Sequence, residues 1–147
     1  MRLLKYSAAT AFAILLAASA CKKAPPPPEP LPPTPPAAPV AVASLDLGKS
    51  VGADKRITNS ESNFGPRDTI YASVGTTGTS SGATLTAKWT FQTGQTVDST
   101  SQTIAPSGPA TTEFHILKAS AWPVGKYKVS IMLNGVPAMD KEFEIKR

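Results

Sequence analysis

Apolar and polar residues alternate along most of this chain beyond residue 42, and a period of two is the signature of half-buried strands. The stretch 42–51 sets Leu45 and Leu47 on one face, and 68–75 does the same with Ile70, Ala72 and Val74. The clearest run is 83–92, where Leu85, Ala87, Trp89 and Phe91 alternate with Thr84, Thr86, Lys88 and Thr90. Residues 96–104 read as a polar strand suited to a sheet edge. In 111–117 Phe114 and Ile116 face inward, and from Tyr127 onward so do Val129, Ile131 and Leu133. No window keeps apolar residues at the 3.6-residue spacing of a helix, so the expected class is all-β.

Turn residues punctuate these runs. Residues 52–65 and 75–83 are polar and loop-like, and Thr93-Gly94-Gln95 and Ser107-Gly108-Pro109 predict turns. Asn134-Gly135 is the preferred pair for a two-residue type I′ hairpin. That hairpin creates a parity conflict in the last strand, 136–145. Pairing Leu133 with Val136 turns even positions inward, yet Phe143 and Ile145 are odd. A β-bulge near Met139, Asp140 and Lys141 resolves the conflict, and a longer loop through Pro137 is the alternative.

Residues 68–146 resemble an immunoglobulin or fibronectin type III sandwich. Trp89 stands where that family keeps its core tryptophan. Tyr127, following Pro123-Val124-Gly125, stands where it keeps a tyrosine corner. The resemblance implies a single antiparallel β-sandwich of about seven strands over 44–147. The second cysteine of the family's inter-sheet disulfide is replaced here by Val129, so apolar packing against Ala72 or Val74 is expected in its place.

The first residues carry a different pattern. Arg2 and Lys5 precede an uncharged stretch, 6–20, containing Phe12, Ile14, Leu15 and Leu16, which is the order of a secretory signal peptide. The stretch is short for a membrane span, which needs ~20 apolar residues. Ser19-Ala20-Cys21 resembles the lipobox of bacterial lipoproteins, although Ala18 stands where leucine is usual. That resemblance implies cleavage after Ala20 and a diacylglycerol on the Cys21 thiol. Lys22 stands where the aspartate linked to inner-membrane retention would be, which favours the outer membrane over the inner. Ala18-Ser19-Ala20 also satisfies the rule for ordinary signal peptidase, so a plain secreted product is the rival reading. Cys21 is the only cysteine, and an odd thiol in an exported chain calls for a purpose that acylation supplies. Residues 24–39 contain ten prolines, which excludes helix and central strand and predicts a disordered, semi-rigid stalk across 21–43. Pro32, Pro33, Pro35 and Pro36 also offer P-x-x-P matches to a polyproline reader, against the plainer spacer reading.

Charge narrows the partners. The net charge of the whole chain is +5, but from Ser44 onward eleven Lys and Arg face nine Asp and Glu. The basic residues are scattered, so nucleic acid is not an expected partner. Catalytic chemistry is also poorly provided for. His115 is the only histidine and points away from the core, no nucleophile elbow is present, and no metal-binding spacing occurs. The expectation is a non-enzyme with no cofactor or metal, carrying only the lipid on Cys21.

What remains is surface recognition. Candidate partner-binding residues are Trp122, in a turn before proline, Met132 and Lys128 on a face opposite the core, and Thr96 and Asp98 on the polar strand. That strand is either an open edge for strand addition or one partly covered by a loop. The expected role is a lipid-anchored cell-envelope module that docks a protein partner. The alternative is a small-ligand or glycan site lined by Trp122 and the 75–83 loop.

Overall fold

The computed structural model describes residues 38–147. The expected signal peptide, Cys21 and the stalk as far as residue 37 lie outside the described residues. Eight strands follow one another: β1 (Ala41–Gly48), β2 (Asn63–Phe64), β3 (Ile70–Thr77), β4 (Ala83–Phe91), β5 (Thr96–Ile104), β6 (Ala110–Ile116), β7 (Gly125–Leu133) and β8 (Val136–Ile145). They form a three-stranded sheet, β1-β3-β6, and a five-stranded sheet, β2-β8-β7-β4-β5. All pairings are antiparallel except β2 with β8.

The alternation in sequence becomes the core. Leu45, Leu47, Ile70, Ala72, Val74, Phe114 and Ile116 of the smaller sheet are buried against Leu85, Ala87, Trp89, Tyr127, Val129 and Ile131 of the larger one. Residues Ala72, Val74 and Val129 are all fully buried where the sequence calls for packing instead of a disulfide. The Tyr127 hydroxyl donates to the Pro123 carbonyl at 2.8 Å, closing the corner expected at the start of β7. Asn134 and Gly135 take positive φ angles of 52° and 80°, the backbone a type I′ turn requires.

Several details depart from the sequence reading. The 52–65 stretch is not all loop, since β2 pairs with Glu144 and Ile145 and buries Phe64. The strand expected over 68–75 runs instead from Ile70 to Thr77, which shortens the following loop to 78–82. The bulge in β8 falls at Ala138, because Met132 pairs with Pro137 while Ile131 pairs with Met139. Placed there, it turns Met139, Lys141, Phe143 and Ile145 to the core side together. Lys141 cannot stay in an apolar core, so its ammonium reaches out between the sheets to the Leu45 carbonyl at 3.0 Å and to Asp46 at 3.4 Å.

The chain enters the domain at one end of the sandwich. Pro39 bridges Thr79, and the Thr79 amide donates to the Ala38 carbonyl at 2.9 Å. Gly78, at φ +83°, lets this approach happen, since a side chain there would collide with the Pro39 carbonyl. β1 begins at Ala41, inside the segment expected to be linker.

Tyr127→Phe removes one partly buried hydrogen bond and keeps the ring. It should lower unfolding free energy by about 1 kcal/mol with an unchanged slope in urea, a shift that equilibrium denaturation followed by tryptophan fluorescence resolves.

Candidate functional site

The two sheets are unequal in width, and that inequality makes the site. β5 pairs with β4 alone, and its register sets Asp98, Thr100, Gln102 and Ile104 on the same side as Trp89, Ala87, Leu85 and Ala83. That side faces inward, yet the row is largely polar. The smaller sheet ends at β6, so β5 overhangs it and its inner face meets solvent. Gln102 crosses the gap and donates to the Glu113 carbonyl of β6 at 2.7 Å.

A groove of about 590 Å³ opens at the Thr96 end of this overhang, lined by Val97, Asp98, His115, Leu117, Lys118 and Trp122 among others. Trp122 forms part of its floor and is only 5% exposed. Its backbone amide donates to Pro66 and its indole N–H to the Asp68 carbonyl, the latter at 3.1 Å. Its ring meets Tyr127 edge-on at 6.3 Å, and the Lys118 ammonium lies 5.7 Å from its centroid. Leu117 lines the groove and stands exposed, and Val124, two residues beyond Trp122, is exposed as well.

His115 sits on the groove wall with Nδ1 bonded to Glu113 Oε1 at 2.7 Å and its ring 5.4 Å from Tyr71. Among the described residues no group of three or more His, Cys, Asp or Glu side chains is placed to hold a metal ion.

The turn that receives Trp122 is itself braced. Asp68 accepts from the Gly65 amide at 2.7 Å and pairs with Lys49 at 3.1 Å, while Lys49 also reaches Glu61 at 3.3 Å. The Gly65 amide, and then Lys49, hold the Asp68 carboxyl below the usual carboxylate range despite partial burial.

Of the candidates read from sequence, Trp122, Thr96 and Asp98 come together at this groove, and Met132 and Lys128 do not. Met132 lies on the outer face of the five-stranded sheet between Thr86 and Pro137, and Thr86 is bonded to Ser101. Lys128 pairs with Asp140 at 3.7 Å on that same face. Thr86, Ser130 and Pro137 stand beside Met132 there, and Lys128 lies further along the strand with Asp140. The ligand site imagined between Trp122 and the 75–83 loop does not exist as such. Trp122 is tied to the turn before β3, whereas that loop begins at the end of β3, at the opposite end of the sandwich. The sequence reading missed Leu117 and Lys118. Their only signal was a cluster of apolar residues, Leu117, Trp122 and Val124, in a segment with no strand alternation.

Comparison with solved structures places this architecture. An immunoglobulin-like protein from Pseudomonas aeruginosa superposes with a TM-score of 0.50 at 12% identity, covering 74% of this chain and 98% of that one. The domain is an immunoglobulin-like β-sandwich. The alkylpurine DNA glycosylase AlkC of Pseudomonas fluorescens, solved with DNA containing an abasic-site analogue, matches at a TM-score of 0.48 and 15% identity. That match covers 75% of this chain, which spans only 31% of the glycosylase. No protein-family model matches the chain, and no curated protein does.

Because Asp68 has a depressed folded-state pKa, it contributes stability that is present above the ordinary carboxylate pKa and lost as pH falls through the folded value. Urea midpoints measured from pH 5 downward should fall in the native protein and fall less steeply in Asp68→Asn. Equal slopes in the two proteins would show that the brace carries no pH-dependent stability.

Proposed function

We propose that this chain is a lipid-anchored cell-envelope protein whose immunoglobulin-like domain recognises a protein partner through the groove beside Trp122. One observation carries the reading. The chain enters the domain beside Thr79, and the groove lies at the other end, where β3 starts and β6 stops. A domain tethered through its N-terminus would therefore present this groove away from the tether.

The anchor itself rests on the sequence: an apolar leader, a single cysteine in a lipobox-like setting and a proline-rich spacer. In this reading Cys21 carries the lipid and the outer membrane is the favoured location. The spacer sets the reach, and the domain works by binding rather than by catalysis. Leu117, Trp122 and Lys118 supply an apolar rim, a rigid aromatic floor and one cation, and aromatic residues are enriched at protein-binding surfaces. A groove of this volume is also within the ~300–1,000 Å³ range of small-molecule sites, which keeps a small ligand or glycan as the second reading.

In-cell cross-linking of tagged full-length protein tests both parts when combined with mass spectrometry of the mature N-terminus. The expected result is an acylated Cys21 and a partner whose capture is lost in Leu117→Asp, an exposed position whose change leaves the core intact. Capture unaffected by Leu117→Asp would overturn the groove as the docking site. An unmodified N-terminus would overturn the anchor.

A further inference from the structure

Every sheet edge presents unpaired backbone groups, and three of the four edges here are partly covered or guarded. On β1 the Leu45 carbonyl accepts from Lys141 and the Leu47 carbonyl from the Glu61 amide. On β6 the Glu113 carbonyl accepts from Gln102. On the far side of the larger sheet β2 covers only Glu144 and Ile145 of β8, and the uncovered part of β8 carries Pro137, Asp140, Lys141 and Glu142, a proline and three charges of the kind that guard an edge. β5 differs from all of them. It has nine residues, and among the described residues its backbone has no side-chain or loop partner beyond β4 and the turn that opens it. Its only charge is Asp98, whose carboxylate accepts from the Thr100 hydroxyl at 3.0 Å.

We propose that β5 pairs antiparallel with β5 of a second copy of this chain, centred on Thr100, joining two five-stranded sheets into one. The strand's own sequence is complementary to itself about that centre. Thr100 meets Thr100, Ser99 meets Ser101, and Asp98 meets Gln102, so hydroxyls face hydroxyls and the carboxylate faces an amide. The two Asp98 side chains stand four residue steps apart, ~13 Å, beyond the ~8–10 Å screening length of physiological salt. Centring on Ser101 sets Asp98 against Ile104 and centring on Ser99 sets it against Thr100, so of these registers the one centred on Thr100 gives the carboxylate an amide. The bulge at Val97 marks one limit of the paired stretch.

The rest of the chain does not offer a better occupant. Residues 21–37 contain nine prolines, which lack the amide a paired strand must donate. The contact is short, well below the ~1,200 Å² total area typical of a stable complex. The dimer is therefore weak in dilute solution and forms where copies are concentrated. Antiparallel pairing sets the two chain-entry ends at opposite ends of the joined sheet, ~30 Å apart along the strands.

Full-length protein in detergent, carrying Thr100→Cys or Thr103→Cys, is oxidised at high concentration and mapped by mass spectrometry. Residue 100 falls on the two-fold, within the ~4.4–6.8 Å Cα separation a disulfide needs, whereas residue 103 is ~20 Å from its equivalent. The expected result is about tenfold more 100–100 than 103–103 disulfide, the mapping separating both from any Cys21 bridge. Sedimentation should show a concentration-dependent dimer in the unmodified protein and none in Thr100→Lys, which sets two ammonium groups opposite each other. Equal cross-linking at the two positions would overturn the proposal. So would a monomer at every concentration, or a residue 100 adduct only with a different protein. None of these outcomes depends on whether Cys21 is acylated or the groove is occupied.

Discussion

With no cysteine in the domain, the two sheets are held chiefly by packing, and that packing is organised around Phe143. Its ring stacks on Tyr127 at 5.3 Å and takes Phe64 and Trp89 edge-on at 5.6 and 5.8 Å. Tyr127 passes the contact on to Phe91 and Trp122. All of these rings come from the five-stranded sheet and the loop beside it. The smaller sheet answers chiefly with aliphatic side chains, Leu45, Leu47, Ile70 and Val74. Trp89 shows how strongly packing dominates here. Its indole N–H is buried without a partner, a cost of roughly 1–3 kcal/mol. Burying about 200 Å² of ring contributes on the order of 5 kcal/mol, so the ring stays.

The aromatic seam also fixes where the surface features fall. Trp122 is at once the last ring of the seam and the floor of the groove, so the site is built directly on the core. The width of the two sheets does the rest. Five strands over three leave β5 without a layer beneath it, and both the groove and the open edge follow from that overhang. On the opposite side the same problem is met differently. The bulge at Ala138 turns Lys141 inward, where its ammonium fills a carbonyl on the free edge of β1. An inward-pointing charge of this kind is a known way to guard an edge.

Alternation made most of this fold legible before any coordinates, because each strand has one buried and one wet face. The run from Leu85 to Phe91 and the hairpin at Asn134-Gly135 stand where the pattern puts them. β2 was not legible, since two residues carry no period and Phe64 is buried by a pairing with the distant end of β8. The bulge was legible as a need and not as an address. Parity shows that one residue must be extra between Val136 and Phe143, while its place depends on hydrogen bonding. The groove was the least legible of all. It gathers residues from the ends of β4 and β6, the start of β5 and the segment before β7, and nothing local in any of them announces the others.

This distribution of legibility has a physical reason that bears on function. Period-two patterning encodes burial, and burial is a property each strand settles with the core as a whole. Recognition is settled at strand ends and edges, where a residue's neighbours come from elsewhere in the chain. A short polar edge such as β5 makes a contact too small to persist between freely diffusing molecules. Tethering changes that balance, because it raises effective concentration without adding a single contact. A chain that carries both an unguarded edge and the sequence marks of a tether is thus internally consistent: weak surfaces suffice when copies are held close.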